Sequence, residues 1–183
     1  MADITKNNQN KKVVELIKKL ESDEPKEVIT AINGLKSHGD KTSIQPLIKL
    51  HSTTANNAVK SEIENLLNSI KSTKVTEEII NCLTDDTYKK SHLAILSSIW
   101  NSSLDYSIYL DEIVSAAIQG DLMAAMECLT IFENLEGDIT EEKILNPLMT
   151  VNQYLNDNNG STESKYNLLL EVSQILQHLN NTL

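Results

Sequence analysis

The sequence predicts an all-α protein built as an array of about five antiparallel helix pairs. Three observations lead there. Turn-forming residues are scarce, five glycines and three prolines in 183 residues, so elements are long and boundaries few. Leu, Ile, Lys, Glu and Asn are abundant while Val, Phe, Trp and Tyr are sparse, which favours helices over strands. Finally, five short stretches read alike: "VVELIKKL", "IQPLIKL", "TEEIINCL", "LDEIVSAA" and "LNPLMTV". The first residues of their apolar pairs are Leu16, Leu47, Ile79, Ile113 and Leu148, at spacings of 31, 32, 34 and 35. Recurrence at such an interval is the mark of a repeat architecture.

Each unit pairs one of these stretches with a second helical pattern. In unit one (11–38) the second helix turns Val28, Ile32 and Leu35 inward, and Pro25 suits its first turn, where a missing N–H costs nothing. Unit two (39–72) opens on Gly39-Asp40, a helix stop followed by an N-cap. Its second helix presents Val59, Ile63, Leu66 and Ile70. Leu16 to Leu47, Val28 to Val59 and Leu35 to Leu66 are each 31 apart. Unit three (73–102) presents Leu93, Leu96 and Ile99. Unit four (103–136), with its inner boundary at Gly120-Asp121, presents Met123, Met126, Leu129 and Phe132. Unit five (137–183) opens on Gly137-Asp138 and contains the longest polar loop, "NDNNGSTES", with Ser161 or Thr162 as the cap. Its second helix presents Leu169, Val172, Ile175, Leu176 and Leu179. The i, i+3, i+4 spacing throughout is that of an amphipathic helix. Gly34 falls inside a helix, where the missing Cβ permits close packing. Residues 1–10 carry no apolar pattern and are expected to fray ahead of a single domain over 11–183.

Pro46 directly precedes anchor Leu47, and Pro147 directly precedes anchor Leu148. Units one, three and four place Glu15, Glu78 and Glu112 in that column. A proline in a helix interior removes a hydrogen bond and kinks the helix, so the shared column predicts a kink as part of the unit's shape.

These residues carry a family resemblance. "GDKTSIQPLIKL" followed by "NNAVKSEIENLLNSI" resembles a HEAT repeat through Gly39, Asp40, Ile44, Pro46, Leu47, Ile48, Leu50, Val59 and Lys60. The likeness extends over roughly residues 12–180 and is closest in unit two. In units three and four Ser91-His92 and Ala124-Ala125 stand where unit two has Val-Lys. The resemblance implies a right-handed α-solenoid whose second helices line a concave side that binds partners.

Charge and composition narrow the function. Net charge is −10 with a pI near 4.8, and all 16 basic residues are lysines. Arginine is the usual residue for bidentate phosphate and guanine contacts, so neither nucleic acid nor an acidic membrane is an expected partner. The base composition of an AT-rich genome accounts for the lysine and asparagine usage itself. Residues 1–90 hold 14 lysines and 13 acids; residues 91–183 hold 2 lysines and 13 acids. One end is therefore far more negative than the other. No apolar run has the roughly 20 residues of a membrane span, and "MADITKNNQNKK" lacks a signal-peptide core, so the expected location is cytoplasmic. Cys82 and Cys128, each on an apolar face, read as buried free thiols.

Catalytic signals are sparse. The sequence has no glycine-rich phosphate loop, no Cys-x-x-Cys and no His-x-x-x-His. The His-Glu pairs of iron-binding HEAT hydroxylases are missing too, so no cofactor or metal is expected. Asp85-Asp86 reads as a capped turn between helices. The expected function is a non-catalytic protein–protein interaction scaffold, with another protein or a peptide as partner. Weak self-association through the end repeats is a further expectation, since the last helix ends on Leu183. The competing class is a HEAT-like enzyme of the DNA glycosylase or lyase kind, against which the acidic charge and absent Arg weigh. The expected contact strip on the second helices comprises Lys26, Lys60, Glu64, Lys89, Lys90, Asp121, Glu127, Glu133 and Glu171. The expected aromatic contacts are Tyr88, Trp100 and Tyr106, around the chain's single tryptophan. The plainer reading of these residues is a solvated face with partly buried aromatics.

Overall fold

The structure, a computed structural model, describes the backbone of residues 2–136 and 139–183, with side chains from residue 10 onward in those spans. The described residues form ten α-helices and no strand. They are α1 (Ala2–Lys19), α2 (Pro25–His38), α3 (Ile44–Thr53), α4 (Asn57–Ser69), α5 (Thr76–Leu83), α6 (His92–Ser102), α7 (Leu110–Gln119), α8 (Leu122–Glu133), α9 (Glu141–Asp157) and α10 (Ser164–Thr182). Short 3-10 segments, Lys41–Ser43, Thr73–Val75, Asp86–Ser91 and Ser107–Tyr109, lead into α3, α5, α6 and α7. In the expected frayed segment 1–10 the side chains before residue 10 lie outside the described residues. Only the backbone there is described, and from Ala2 onward it is helical.

Short polar side chains punctuate the chain. Pro25 is at the start of α2, and the Gly39 N–H closes that helix on the Leu35 carbonyl at 2.7 Å. Asp40 then accepts from the Thr42 N–H at 2.9 Å, Asn56 from Ala58 and Val59, Asp85 from Thr87, and Asp121 from Ala124. Each satisfies a first-turn donor that the helix itself cannot. Gly137-Asp138 lies outside the described residues. The cap expected at Ser161 or Thr162 is corrected: α10 begins at Ser164, its N-cap position is Glu163, and no side chain caps it. The chain instead turns through Gly160 at φ +83°, a left-handed conformation that glycine adopts without strain.

Helices of each pair pack together, α1 on α2 through α9 on α10. The even-numbered helices also pack in succession, α2–α4–α6–α8–α10, as do α3–α5–α7–α9. Ile32, Leu47, Ile48, Ile63, Leu67, Ile79, Leu83, Ile95, Leu96, Leu110 and Ile113 are essentially sealed from solvent between them. Each such side chain contributes about 1.5–3 kcal/mol through burial. Gly34 on α2 faces Leu16 on α1 so closely that an added Cβ would lie 2.7 Å from Leu16 Cδ2.

Two sequence expectations are revised. Pro46 is the third residue of α3, because the α-helix proper starts only after the 3-10 turn. Its missing N–H is among the first-turn donors that lack partners anyway. Glu78 in α5 and Glu112 in α7 are third residues in the same way, and a carboxylate there is favoured by the helix dipole. In units two, three and four the column thus falls in a helix's first turn, whereas Glu15 lies well inside α1. Pro147, by contrast, lies inside α9.

The second revision concerns which faces are buried. Leu93, Met123 and Met126 are exposed. Ile95 on α6, and Ala124, Ala125, Cys128 and Ile131 on α8, take the core positions. Helix α8 is apolar almost all round, so periodicity alone does not choose its face. The small side chains turn inward, and the long flexible ones are left outside.

Candidate functional site

The residues of the expected strip are distributed over several elements. Lys26 is exposed in the first turn of α2, and Lys60 is partly buried on α4. Lys89 and Lys90 are exposed but belong to the 3-10 segment Asp86–Ser91, ahead of α6. Asp121, Glu133 and Glu171 are exposed on or beside α8 and α10. Tyr88 and Tyr106 are largely buried in the core. The Tyr88 hydroxyl accepts from Gln45 Nε2 at 3.1 Å. The Tyr106 hydroxyl is buried beside Ser102 without hydrogen-bonding geometry, and burial pushes its pKa up.

What the fold does bring together is Trp100 on α6 and Glu127 on α8. The indole Nε1–H donates to Glu127 Oε2 at 2.6 Å, a short bond of the charge-assisted kind. Met123 lies four residues before Glu127 on the same helix face, with Met126 beside it. Leu93 is one helical stripe back from Trp100. Leu93, Trp100, Met123 and Met126 are 40%, 38%, 46% and 46% exposed. All four lie on two neighbouring even-numbered helices, away from the buried residues of those helices. At the C-terminal ends of these helices a cavity of about 400 Å³ is lined by Trp100, Leu104, Tyr106, Ile131 and Leu135, with Asp105 and Glu136. The Asp105 carboxyl is held below its ordinary range by hydrogen bonds from Ser107, the backbone one foremost.

The electrostatic setting is one-sided. Residues 91–142 contain ten acids and no lysine or arginine. The two later lysines are directed at internal acceptors. Lys143 Nζ donates to Ser107 Oγ at 2.9 Å. Lys165 Nζ donates to the Ile118 and Gly120 carbonyls at 2.6 and 2.7 Å, at the end of α7, and lies over the Tyr154 ring. Desolvation lowers the Lys165 pKa. Lys143 also acts electrostatically on Asp105, and Lys165 on Glu163 and Asp121.

A second polar constellation lies deeper. His51 on α3 bonds Ser91 Oγ through Nδ1 at 2.8 Å and Glu64 Oε1 through Nε2 at 3.0 Å. A carboxylate only accepts, so the Nε2–H donates to Glu64, while the Ser91 hydroxyl has both His51 Nδ1 and the Ile48 carbonyl, at 3.4 Å, as partners. The order serine–histidine–carboxylate has the connectivity of a nucleophile, a base and its orienting acid. Ser91, however, is 1% exposed and lines none of the described cavities. The network joins α3, α4 and the Asp86–Ser91 segment. The sequence held no local signal for it, since its partners are 13 and 40 residues from His51.

Cys82 and Cys128 are buried and unpaired. Burial pushes the Cys82 thiol up to about 11 and the Cys128 thiol further up. Among the described residues no cluster of three or more His, Cys, Asp or Glu side chains is placed to hold a metal ion, and no helix is long and apolar enough to cross a membrane. The chain matches no protein-family model, no curated protein and no solved structure.

Proposed function

We propose that the protein is a non-catalytic interaction scaffold, a short right-handed HEAT-like array that docks another protein or a peptide on the outward face of its even-numbered helices. The observation that carries this reading is the uncovered stripe of Leu93, Trp100, Met123 and Met126 on α6 and α8. Large apolar side chains left contiguous on a surface mark interaction sites more often than isolated ones do. Tryptophan is over-represented at binding hot spots, and methionine adapts to varied partners. The successive packing of the even-numbered helices supports the array, since a repeat stack leaves a continuous face free.

Affinity capture from source cells tests it, comparing the native chain with the Met123→Asp/Met126→Asp double variant. The native chain should retain a partner in near-stoichiometric amount that the variant, with unchanged circular dichroism, loses. Identical retained sets for both proteins would refute the reading. A catalytic reading has one observation in its favour, the Ser91–His51–Glu64 line. Under it, Ser91→Ala abolishes a hydrolytic activity; under the scaffold reading, that variant changes stability alone.

A further inference from the structure

We infer that the α6/α8 stripe takes a cationic amphipathic helix from its partner. This deepens the scaffold reading and rests on it. The shape argument comes from α6 and α8 themselves. Leu93 and Trp100 are seven residues apart, about 10 Å along the helix axis, and Met123 and Met126 are exposed on α8, which packs against α6. A stripe of that length matches about two turns of a helix laid on the face, anchored at i, i+3, i+4 and i+7. The side chains suit such an occupant, because flexible methionines and a rigid indole can cover varied apolar residues.

The charge argument fixes the sign. Glu127 borders the stripe, and Asp121 and Glu133 sit at the two ends of α8. Asp105 and Glu136 line the cavity beside Trp100. No lysine or arginine occurs between residues 91 and 142, and Lys143 and Lys165 engage Ser107 and two backbone carbonyls. Lys89 lies near Leu93 at the N-terminal end of α6, and Lys71 Nζ donates to the Ser102 carbonyl at its C-terminal end, so the basic flank is expected on the α8 side, along Glu127 and Glu133. An apolar ridge with basic flanks complements this surface, whereas an acidic or uncharged helix does not. The cavity of about 400 Å³ accommodates a lysine or arginine side chain near Glu136.

The test uses the whole protein and three synthetic peptides of about 18 residues, roughly 27 Å as a helix. One is an amphipathic Leu/Lys helix, one its Leu/Glu counterpart, and one a scramble of the Leu/Lys sequence without a helical apolar face. The readout is the emission of Trp100, the chain's single tryptophan. The Leu/Lys helix should produce a saturable change that rising ionic strength weakens. Met126→Asp should weaken it by about tenfold or more. Met149→Asp, on exposed α9 surface, should leave it unchanged. Equal binding of the Leu/Glu or scrambled peptide overturns the inference, as does an equal loss with Met149→Asp or the absence of a saturable change. Concentration-dependent self-association that buries Trp100 and disappears in Met126→Asp assigns the face to a second copy and also overturns it. Its failure is separable from that of the scaffold reading. A captured partner lost by the Met123→Asp/Met126→Asp variant, but contacting through a non-cationic segment, leaves the scaffold standing and removes only the partner chemistry.

Discussion

A buried imidazole with both ring nitrogens engaged is costly to replace. His51 is 4% exposed, and its loss leaves the Ser91 hydroxyl only the longer bond to the Ile48 carbonyl, at 3.4 Å, while opening a cavity beside α3. His51→Ala should destabilise the protein by about 2–3 kcal/mol in urea unfolding. Glu64→Gln should cost less than about 0.5 kcal/mol, because that side chain is half exposed and the amide oxygen still accepts. The thiols give a second residue-scale prediction. Native protein at neutral pH should leave Cys82 and Cys128 unreacted with a thiol reagent, and denatured protein should react at both. The Cys82 thiol has an ordinary value of 9.0 and a folded value of about 11. Between those values the unfolded chain binds fewer protons than the folded one, so stability falls as pH rises from 9.0 to about 11. Cys82→Ala should flatten that stretch of the profile. Reversing Glu127 to lysine is not a neutral surface change, because it removes the acceptor that holds the Trp100 indole.

At the scale of the element, the meaning of a proline depends on its distance from the helix start. Pro46→Ala in the first turn of α3 should change stability by no more than about 1 kcal/mol and leave the helix direction unchanged. Pro147→Ala in α9 restores a ladder donor toward the Lys143 carbonyl, and should yield a slowly exchanging amide at position 147. Burial of α8 makes a sharper prediction. Ala125→Leu should destabilise by about 1–3 kcal/mol through overpacking, whereas Met123→Gln should cost less than about 0.5 kcal/mol. Local rules explain what was readable here. Pro25, Gly39-Asp40 and Gly120-Asp121 announce helix ends because capping chemistry is confined to neighbouring residues. The face of α8 was not readable, because "LMAAMECLTIF" offers apolar side chains in nearly every direction. Its orientation is decided by how closely Ala124 and Ala125 let it approach its neighbours.

Across the whole molecule, anchors such as Leu47, Ile79 and Ile113 disclosed helix pairing because their spacing repeats along the chain. Trp100–Glu127 and His51–Ser91 were hidden, since a hydrogen bond between units leaves no periodic trace. The charge asymmetry was plain in sequence, and the structure adds that Lys143 and Lys165 engage internal acceptors. With the Leu/Lys peptide, Glu133→Lys should slow association while Lys26→Glu changes little, and the difference should shrink at high salt. The central claim, that the outward α6/α8 face is where a partner docks, is tested most directly by site-specific photo-crosslinking in source cells. The crosslinker is placed at Met126 in one protein and at Met149 on α9 in another. The account predicts a discrete crosslinked partner from position 126 and none of it from position 149. The same product from both positions, or none from position 126, would contradict it.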